Sequence, residues 1–202
     1  MIESKPEISV DALRLGDRGE FARLVEAYSG PLYRLALKML GNPPDAEDAL
    51  QNTFLKAFQH IDEFEGRSRL STWLYRIASN EALMLLRKRH QESSFSDVSP
   101  EDEDEGRNYD PVQLTDWCCL PEDEFLTAEA RAALDGAVQH LPDTLRIVFI
   151  LRDLEGLSIQ ETSQVLGLSE TAVKTRLLRA RLRLREELSS YYGERLNIRS
   201  KE

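Results

Sequence analysis

The sequence predicts an all-α protein in which two small helical domains are joined by a long acidic linker, the second domain containing a helix-turn-helix. Apolar residues recur at steps of three and four near both ends of the 202-residue chain, which is the spacing of one helix face. No strand-type alternation and no repeat of fixed period accompany them. A glycine near the C-terminal end separates two short helical patterns, the layout of a helix-turn-helix.

The charge is distributed unevenly and divides the chain into three parts. The formal net charge of −10 resolves into 0 for residues 1–90, −11 for 91–127 and +1 for 128–202. The middle part, which includes the acidic run 101–105, has too little apolar surface to offset the entropy of ordering. We therefore assign residues 1–90 and 128–202 to the two domains and 91–127 to a flexible acidic linker.

The first domain reads as three helices. Gly30-Pro31 is expected to break or kink the first helix, because proline lacks a backbone donor. The run 41–44 (Gly-Asn-Pro-Pro) ends that helix, and a second follows over 45–61 with acidic residues in its first turn. A third is expected to begin with Ser71-Thr72 as N-cap and to run to residue 89. The first pattern comprises Phe21, Leu24, Val25, Tyr28, Leu32, Leu35, Ala36 and Met39.

The second domain opens with a helix that ends near Leu141 and continues with one that begins at Pro142. Residues 145–154 are apolar on nearly every side, so this helix is expected at the centre of a small bundle and to end at Gly156. Ser158 to Glu161 has the pattern of a capping box, which starts the next helix.

Gly167 can adopt the positive φ of a tight turn, and Ser169 can cap the helix after it. On that last helix one face is apolar: Val173, Leu177, Ala180, Leu184 and Leu188. The other half is cationic and carries no acid between 174 and 185: Lys174, Arg176, Arg179, Arg181, Arg183 and Arg185. Such a helix can enter a DNA major groove, although a basic run alone is more typical of a solvated surface.

Aromatic and basic residues also interleave in the first domain between residues 64 and 89. Aromatic rings can stack on unpaired bases, while arginine holds the nucleic-acid backbone and asparagine reads a base edge. Composition alone is also compatible with Trp73 and Tyr75 being ordinary core aromatics. The residues concerned are Phe64, Arg67, Arg69, Trp73, Tyr75, Arg76 and Asn80.

Several segments, in one order, resemble the extracytoplasmic-function (ECF) group of bacterial RNA polymerase sigma factors. Residues 45–58 (DAEDALQNTFLKAF) and 64–80 (FEGRSRLSTWLYRIASN) are similar to domain two of that group. Residues 141–142 (LP), 153–158 (DLEGLS) and 171–181 (TAVKTRLLRAR) are similar to domain four. The resemblance covers about residues 10–90 and 125–190, whereas the linker does not match.

The resemblance implies that this chain binds RNA polymerase core, directs it to promoters and helps to melt the −10 region. Domain two would grip the clamp helices of the largest subunit, and domain four would contact the flap of the second-largest subunit. An anti-sigma protein is a further implied partner. The implied core-binding residues are Asp48, Gln51, Phe54 and Lys56; those for the −10 element are Arg67, Trp73, Tyr75, Arg76 and Asn80; those for the −35 element are Lys174, Thr175, Arg176 and Arg179.

Other classes of protein fit the sequence less well. An enzyme is disfavoured because the three histidines are scattered and no phosphate loop or nucleophile elbow is present, and no cofactor or metal site is expected. Cys118 and Cys119 are adjacent and form no metal-ligand spacing, which favours a reducing cytoplasm. We expect no signal peptide and no membrane insertion. A helix-turn-helix regulator acting without polymerase is the alternative, but it leaves residues 44–90 without a role.

The linker length sets a geometric condition on promoter binding. Two promoter elements about two helical turns apart are separated by about 70 Å. A flexible segment of 37 residues averages about 33 Å and reaches about 120 Å when fully extended. The two domains can therefore span the promoter only if a larger assembly holds them apart.

Overall fold

The computed structural model describes residues 8–93 and 128–199, and every regular element within these ranges is helical, which confirms the predicted fold class. The first domain contains α1 (Val10–Arg14), α2 (Arg18–Leu40), α3 (Pro43–Gln59), a 3₁₀ turn (Ile61–Glu63) and α4 (Leu70–Ser93). The second contains α5 (Ala128–His140), α6 (Asp143–Phe149), a π turn (Ile150–Leu154), α7 (Ile159–Leu166) and α8 (Glu170–Arg199). Most of the acidic linker, including Trp117, Cys118 and Cys119, lies outside the described residues.

Helices α2, α3 and α4 pack pairwise and enclose the core of the first domain. Their inward faces follow the apolar patterns of the sequence, because residues three and four apart share one side of a helix. Buried side chains from the three helices include Leu24, Leu32, Leu35, Met39, Ala46, Ala49, Phe54, Leu74, Ala78 and Ala82.

Helix α2 runs through Pro31 without a break, so a helix break at Gly30-Pro31 is not observed. Proline inside a helix costs about 3 kcal/mol. Leu32 and Leu35 follow it and are fully buried, and burying a leucine side chain stabilises the folded state by about 1.5–3 kcal/mol. Packing of the C-terminal half of α2 against its neighbours therefore offsets the missing backbone hydrogen bond.

The bounds of α4 also differ from those predicted. The helix begins at Leu70, and the Trp73 amide donates to the Arg69 carbonyl, so Ser71 and Thr72 lie in the first turn and do not cap it. Thr72 is buried. At its other end α4 continues to Ser93, three residues into the segment that the charge pattern assigned to the linker.

In the second domain, α6 and the π turn form the central element, as predicted from their apolar composition. Leu145, Ile147, Val148, Ile150 and Leu151 are buried, whereas Leu154 at the end of the π turn is 41% exposed. Helix α8 packs against α5, α6 and α7. The predicted inward stripe of α8, from Val173 to Leu188, is buried at all five positions, and the sequence prediction of this face is confirmed.

Helices α7 and α8 form the predicted helix-turn-helix, with the predicted caps at their ends. Ser158 accepts from the Glu161 amide while Glu161 accepts from the Ser158 amide, which completes a capping box. These hydrogen bonds, the backbone one first, lower the pKa of Glu161. Gly167 ends α7 with φ of 65°, and Ser169 accepts from the Ala172 amide at the start of α8. The helix-turn-helix is therefore fixed by local hydrogen bonds as well as by its core.

Removing the Ser158 hydroxyl tests how much this cap contributes. Ser158→Ala should lower the free energy of unfolding by about 1 kcal/mol, because one amide at the start of α7 loses its acceptor. Urea denaturation of the full chain measures this. Ser189→Ala provides a control, since that hydroxyl donates to the Arg185 carbonyl within a continuous helix. An equal effect of both substitutions would contradict a capping contribution.

The two domains pack directly against each other. Helix α7 lies against α4, and the C-terminal end of α2 lies against α5 and α6. Gly41, which ends α2 with φ of 65°, sits at this junction. A Cβ atom at position 41 would lie 2.8 Å from Oε1 of Gln139 in α5, so a larger residue would displace the end of that side chain. The positive φ is what favours glycine at this position.

Candidate nucleic-acid interface

A cavity of about 330 Å³ lies beside α4, at its junction with α3 and the 3₁₀ turn. Trp73, Arg76 and Asn80, which the sequence analysis selected for the −10 element, line it together with Lys56, selected there for polymerase binding. The side chains from α4 lie close together because residues 73, 76, 77 and 80 share one face of that helix. The complete lining is Lys56, His60, Glu63, Trp73, Arg76, Ile77, Asn80 and Glu81.

Trp73 supplies a half-buried aromatic surface at this cavity. Its ring packs on Phe64, with the ring centroids 5.4 Å apart and the planes tilted by 48°. Ile77, one turn further along α4, is also half-buried. The indole is thus held by protein on one side and contributes to the cavity wall. An arrangement of this kind offers an apolar surface on which a planar base can stack.

Lys56 and Glu81 form an ion pair in the same cavity, with 2.5 Å between Nζ and Oε1. The Glu81 side chain is only 5% exposed, whereas that of Lys56 is 44% exposed. Glu81 is not among the site residues predicted from the sequence. Its signal is visible in the sequence, since an acidic residue three positions after Ala78 and seven after Leu74 falls on the buried face of α4.

Tyr75 does not line the cavity, because it points in another direction and is 3% exposed. Its hydroxyl donates to Oε2 of Glu155 in the second domain over 2.8 Å, and Arg34 approaches the same carboxylate at 3.7 Å. Burial, with the Glu155 charge, raises the pKa of Tyr75, so the phenol stays protonated and able to donate. In this conformation Tyr75 is a buried interdomain residue and not an accessible DNA-binding group.

The remaining −10 candidates are exposed. Arg76 and Asn80 lie at the cavity on the outer side of α4. Arg67 lies in the segment before α4, outside the cavity lining, where its Nε is 2.6 Å from a Glu65 carboxylate oxygen. An exposed pair of this kind contributes little to stability, so Arg67 can exchange its partner for a phosphate at low cost.

The four residues expected to bind polymerase core do not lie on one surface. Asp48 and Gln51 are exposed on the outer side of α3. Phe54 is 8% exposed and packs edge-on against Phe21 of α2, with 6.4 Å between ring centroids, so it belongs to the core of the first domain. Lys56 belongs to the cavity described above. Leu55 and Phe58, which the sequence analysis did not select, are each more than half exposed on α3.

The residues expected to read the −35 element lie on the solvent side of α8. Lys174 and Thr175 are exposed, and Arg176 and Arg179 are partly exposed, opposite the buried stripe. Arg181, part of the same cationic run, has a structural partner: its Nε and an Nη atom lie 2.8 and 2.7 Å from the two oxygens of Asp153. This hydrogen bonding raises the pKa of Arg181 and ties α8 to the π turn.

Arg146 of α6 is the most buried cation among the residues at the domain junction, with its side chain 10% exposed. It donates to the Gln139 and Leu141 carbonyls of its own domain, over 2.6 and 2.8 Å, and to the Met39 carbonyl of the first domain, over 2.7 Å. Burial lowers its pKa, and Asp143 acts in the opposite direction. One guanidinium therefore satisfies carbonyl groups in both domains.

The described ranges, 8–93 and 128–199, lack two other kinds of site. No group of three or more His, Cys, Asp or Glu side chains in these ranges is arranged to hold a metal ion. None of the helices in them combines the length and the apolar composition needed to cross a membrane.

Comparison with known proteins defines the class of protein. Residues 24–92 match the family model for Sigma-70 region 2, and residues 131–184 match that for Sigma-70 region 4. The chain is 33% identical over 179 residues to the ECF RNA polymerase sigma factor SigW of Bacillus subtilis, covering 89% of this chain and 94% of the relative. It is 31% identical to the ECF RNA polymerase sigma-E factor of Escherichia coli K12, covering 87% and 90%.

These regions define a sigma-70-type transcription initiation factor. The chain belongs to the ECF RNA polymerase sigma factors, which are not enzymes, and it directs RNA polymerase to promoters. The solved sigma factor RpoE of Bartonella quintana, in complex with the anti-sigma factor NepR, is 28% identical with a TM-score of 0.61 and covers 84% of this chain and 96% of that one. The fold also matches CnrH, solved with the cytosolic domain of CnrY, at a TM-score of 0.64, 24% identity and coverage of 90% and 95%.

Proposed function

We propose that the first domain opens and reads the −10 promoter element through the cavity beside α4, and that α8 reads the −35 element. The cavity carries this proposal. It joins the stacking surface of Trp73 to the polar groups of Arg76 and Asn80. An unpaired base needs an aromatic or apolar face and polar groups for its edge, and this lining supplies both.

The outer face of α3 is proposed to bind the clamp helices of the polymerase largest subunit. Asp48 and Gln51 supply polar groups there, and Leu55 and Phe58 add apolar surface that is 54% and 52% exposed. Protein interfaces combine an apolar centre with a polar rim. The role proposed for Phe54 is indirect: as a core residue it holds α3 against α2. Contact between the second domain and the flap of the second-largest subunit is a further part of the proposal.

Binding to a promoter requires the two domains to separate. They are in contact here through Arg146, Tyr75 and Glu155, whereas the two promoter elements lie about 70 Å apart. We propose that polymerase core separates the domains by binding each of them. The free chain is then expected to bind promoter DNA weakly, and the acidic linker, which is predicted from the sequence, opposes binding to free DNA further.

An anti-sigma protein is the proposed regulator, and the cytoplasm the proposed compartment. The solved Bartonella quintana sigma factor, captured with the anti-sigma factor NepR, supports such a partner for this chain. The action of the family in transcription supports the location, since RNA polymerase works in the cytoplasm of bacteria.

Run-off transcription with purified polymerase core, followed by sequencing of transcript starts, tests the proposed function. The chain should stimulate initiation from promoters that share two sequence elements. A helix-turn-helix regulator acting without polymerase would bind a site but would not stimulate core-dependent initiation.

Lys174→Ala tests the role of α8 in the same assay. It should weaken promoter binding by the holoenzyme and reduce the slope of log affinity against log salt by about 1, because one phosphate contact is lost. Arg18→Ala removes an equal charge from an exposed site at the start of α2 and should leave both quantities unchanged. Equal slopes for wild type and Lys174→Ala would argue against contact between α8 and the DNA backbone.

A further inference from the structure

Two carboxylates line the cavity beside α4, and neither has a role in the function described so far. Glu63 is exposed and its Oε1 lies 3.0 Å from Nδ1 of His60, whereas Glu81 is buried. Glu81 is 3% exposed, which makes it the most buried residue of the cavity lining. Its Oε1 is held by Lys56 at 2.5 Å. A buried carboxylate is costly unless it is paired, and the Lys56 ammonium meets that requirement at one of the two carboxylate oxygens. Glu81 also lines the cavity, so a ligand there would meet its side chain.

The chemistry of a carboxylate limits which bases can occupy such a cavity. An ionised carboxylate only accepts hydrogen bonds. Cytosine, adenine and guanine each carry an exocyclic amino group that donates, and acidic side chains are typical acceptors for the cytosine amino group. Thymine has no amino group, and its single ring donor, N3–H, lies between two carbonyl oxygens that repel an approaching carboxylate. The carboxylate of Glu81 therefore favours amino-bearing bases over thymine.

The other lining groups supply the remaining contacts that a base in this cavity would need. Trp73 and Ile77 provide the apolar wall, and Asn80 directly precedes Glu81 on α4. Lys56 fixes the carboxylate from α3 and presents further N–H donors, which can meet a ring nitrogen or carbonyl oxygen beside the amino group. Stacking on Trp73 would thus position the base, and the Lys56–Glu81 ion pair would form hydrogen bonds with its edge.

We propose that Glu81 is a specificity-determining residue that accepts a hydrogen bond from the exocyclic amino group of an unpaired promoter base. The position read by this cavity then favours cytosine, adenine or guanine over thymine. This rests on the proposed function, because it requires that the cavity holds a base of the opened −10 element.

The experiment uses holoenzyme assembled from polymerase core and the full chain, at saturating core. Single-stranded oligonucleotides of the non-template −10 strand carry each of the four bases at each position in turn, and their affinities are compared. At one position thymine should bind about tenfold more weakly than the best amino-bearing base. Glu81→Gln should reduce that penalty to about twofold or less, since the glutamine amide can donate to a thymine carbonyl.

Two further variants keep the interpretation specific. Lys56→Gln removes the half-exposed ion-pair partner of Glu81. Because the carboxylate is then no longer held in place, the thymine penalty should also fall, and this variant tests the ion pair if Glu81→Gln fails to fold. Asp62→Asn removes an exposed carboxylate of the 3₁₀ turn that is not in the cavity lining, and its base profile should match wild type.

The possible failures are distinguishable. A wild-type thymine penalty that persists unchanged in folded Glu81→Gln overturns the role of Glu81. A wild-type holoenzyme with no thymine penalty at any position, but with binding that depends on Trp73, overturns the inference and leaves the proposed function intact. If neither base identity nor Trp73 affects binding, the cavity holds no base and the proposed function fails as well.

Discussion

Replacing Trp73 by alanine should reduce promoter opening by holoenzyme by about 10- to 100-fold. Stacking of one base on an aromatic side chain is worth about 1–3 kcal/mol, and Trp73 is the aromatic residue of the cavity lining. The half-buried indole lies on Phe64, so it needs no large rearrangement to receive a base. Permanganate footprinting of unpaired thymines in the promoter, with purified core, measures the opening.

Trp73→Phe provides the matched variant for this prediction. Phenylalanine keeps an aromatic face at position 73 and should restore most of the promoter opening. A loss caused by misfolding would not depend on whether the residue at position 73 is aromatic. Thermal unfolding of both variants reports their stability separately. A normal bubble with Trp73→Ala, at the same holoenzyme occupancy as wild type, would exclude Trp73 from promoter melting.

Arg146→Ala should lower the free energy of unfolding by about 3–5 kcal/mol. The substitution leaves carbonyl groups of Met39, Gln139 and Leu141 at the domain junction without their donor, and unsatisfied buried acceptors are costly. For a chain of this size the midpoint of thermal unfolding should fall by about 10 °C. Differential scanning calorimetry of the full chain checks this.

Arg185→Ala is the control for Arg146, since it removes an exposed arginine from α8 and should change the midpoint little. Arg146→Lys separates charge from geometry. It keeps the cation but cannot span three carbonyl groups in two domains with a planar fork, so an intermediate loss is expected. Equal stability of Arg146→Ala and wild type would mean that these hydrogen bonds contribute nothing net.

Local sequence chemistry predicted the second domain closely. The capping box, the positive φ of Gly167 and the buried face of α8 each depend on residues within a few positions of one another. Pro31 was harder, because the burial of Leu32 and Leu35 against other helices decides whether α2 continues. Propensity describes only the chain near a residue, whereas tertiary packing can override it.

The candidate site was predicted in part, and the parts that were missed are those that depend on contacts between distant segments. Trp73, Arg76 and Asn80 fall together because their spacing on α4 alone aligns them. Tyr75 is two residues from Trp73 and faces the second domain, where its partner Glu155 is 80 positions away in the sequence. No local pattern indicates such a pairing, and the buried role of Arg146 is hidden for the same reason.

The direct packing of α4 on α7 also affects how readily a partner can bind both domains of the chain. Two surfaces joined by a tether of the kind that the sequence predicts between the domains meet at an effective concentration on the order of millimolar, so even a weak mutual affinity keeps them together much of the time. A partner that grips one surface alone must wait for spontaneous separation and then competes with rapid return. A partner that binds both surfaces captures them together, so the proposed binding of both domains by polymerase predicts stronger recruitment by intact core enzyme than by its isolated subunits.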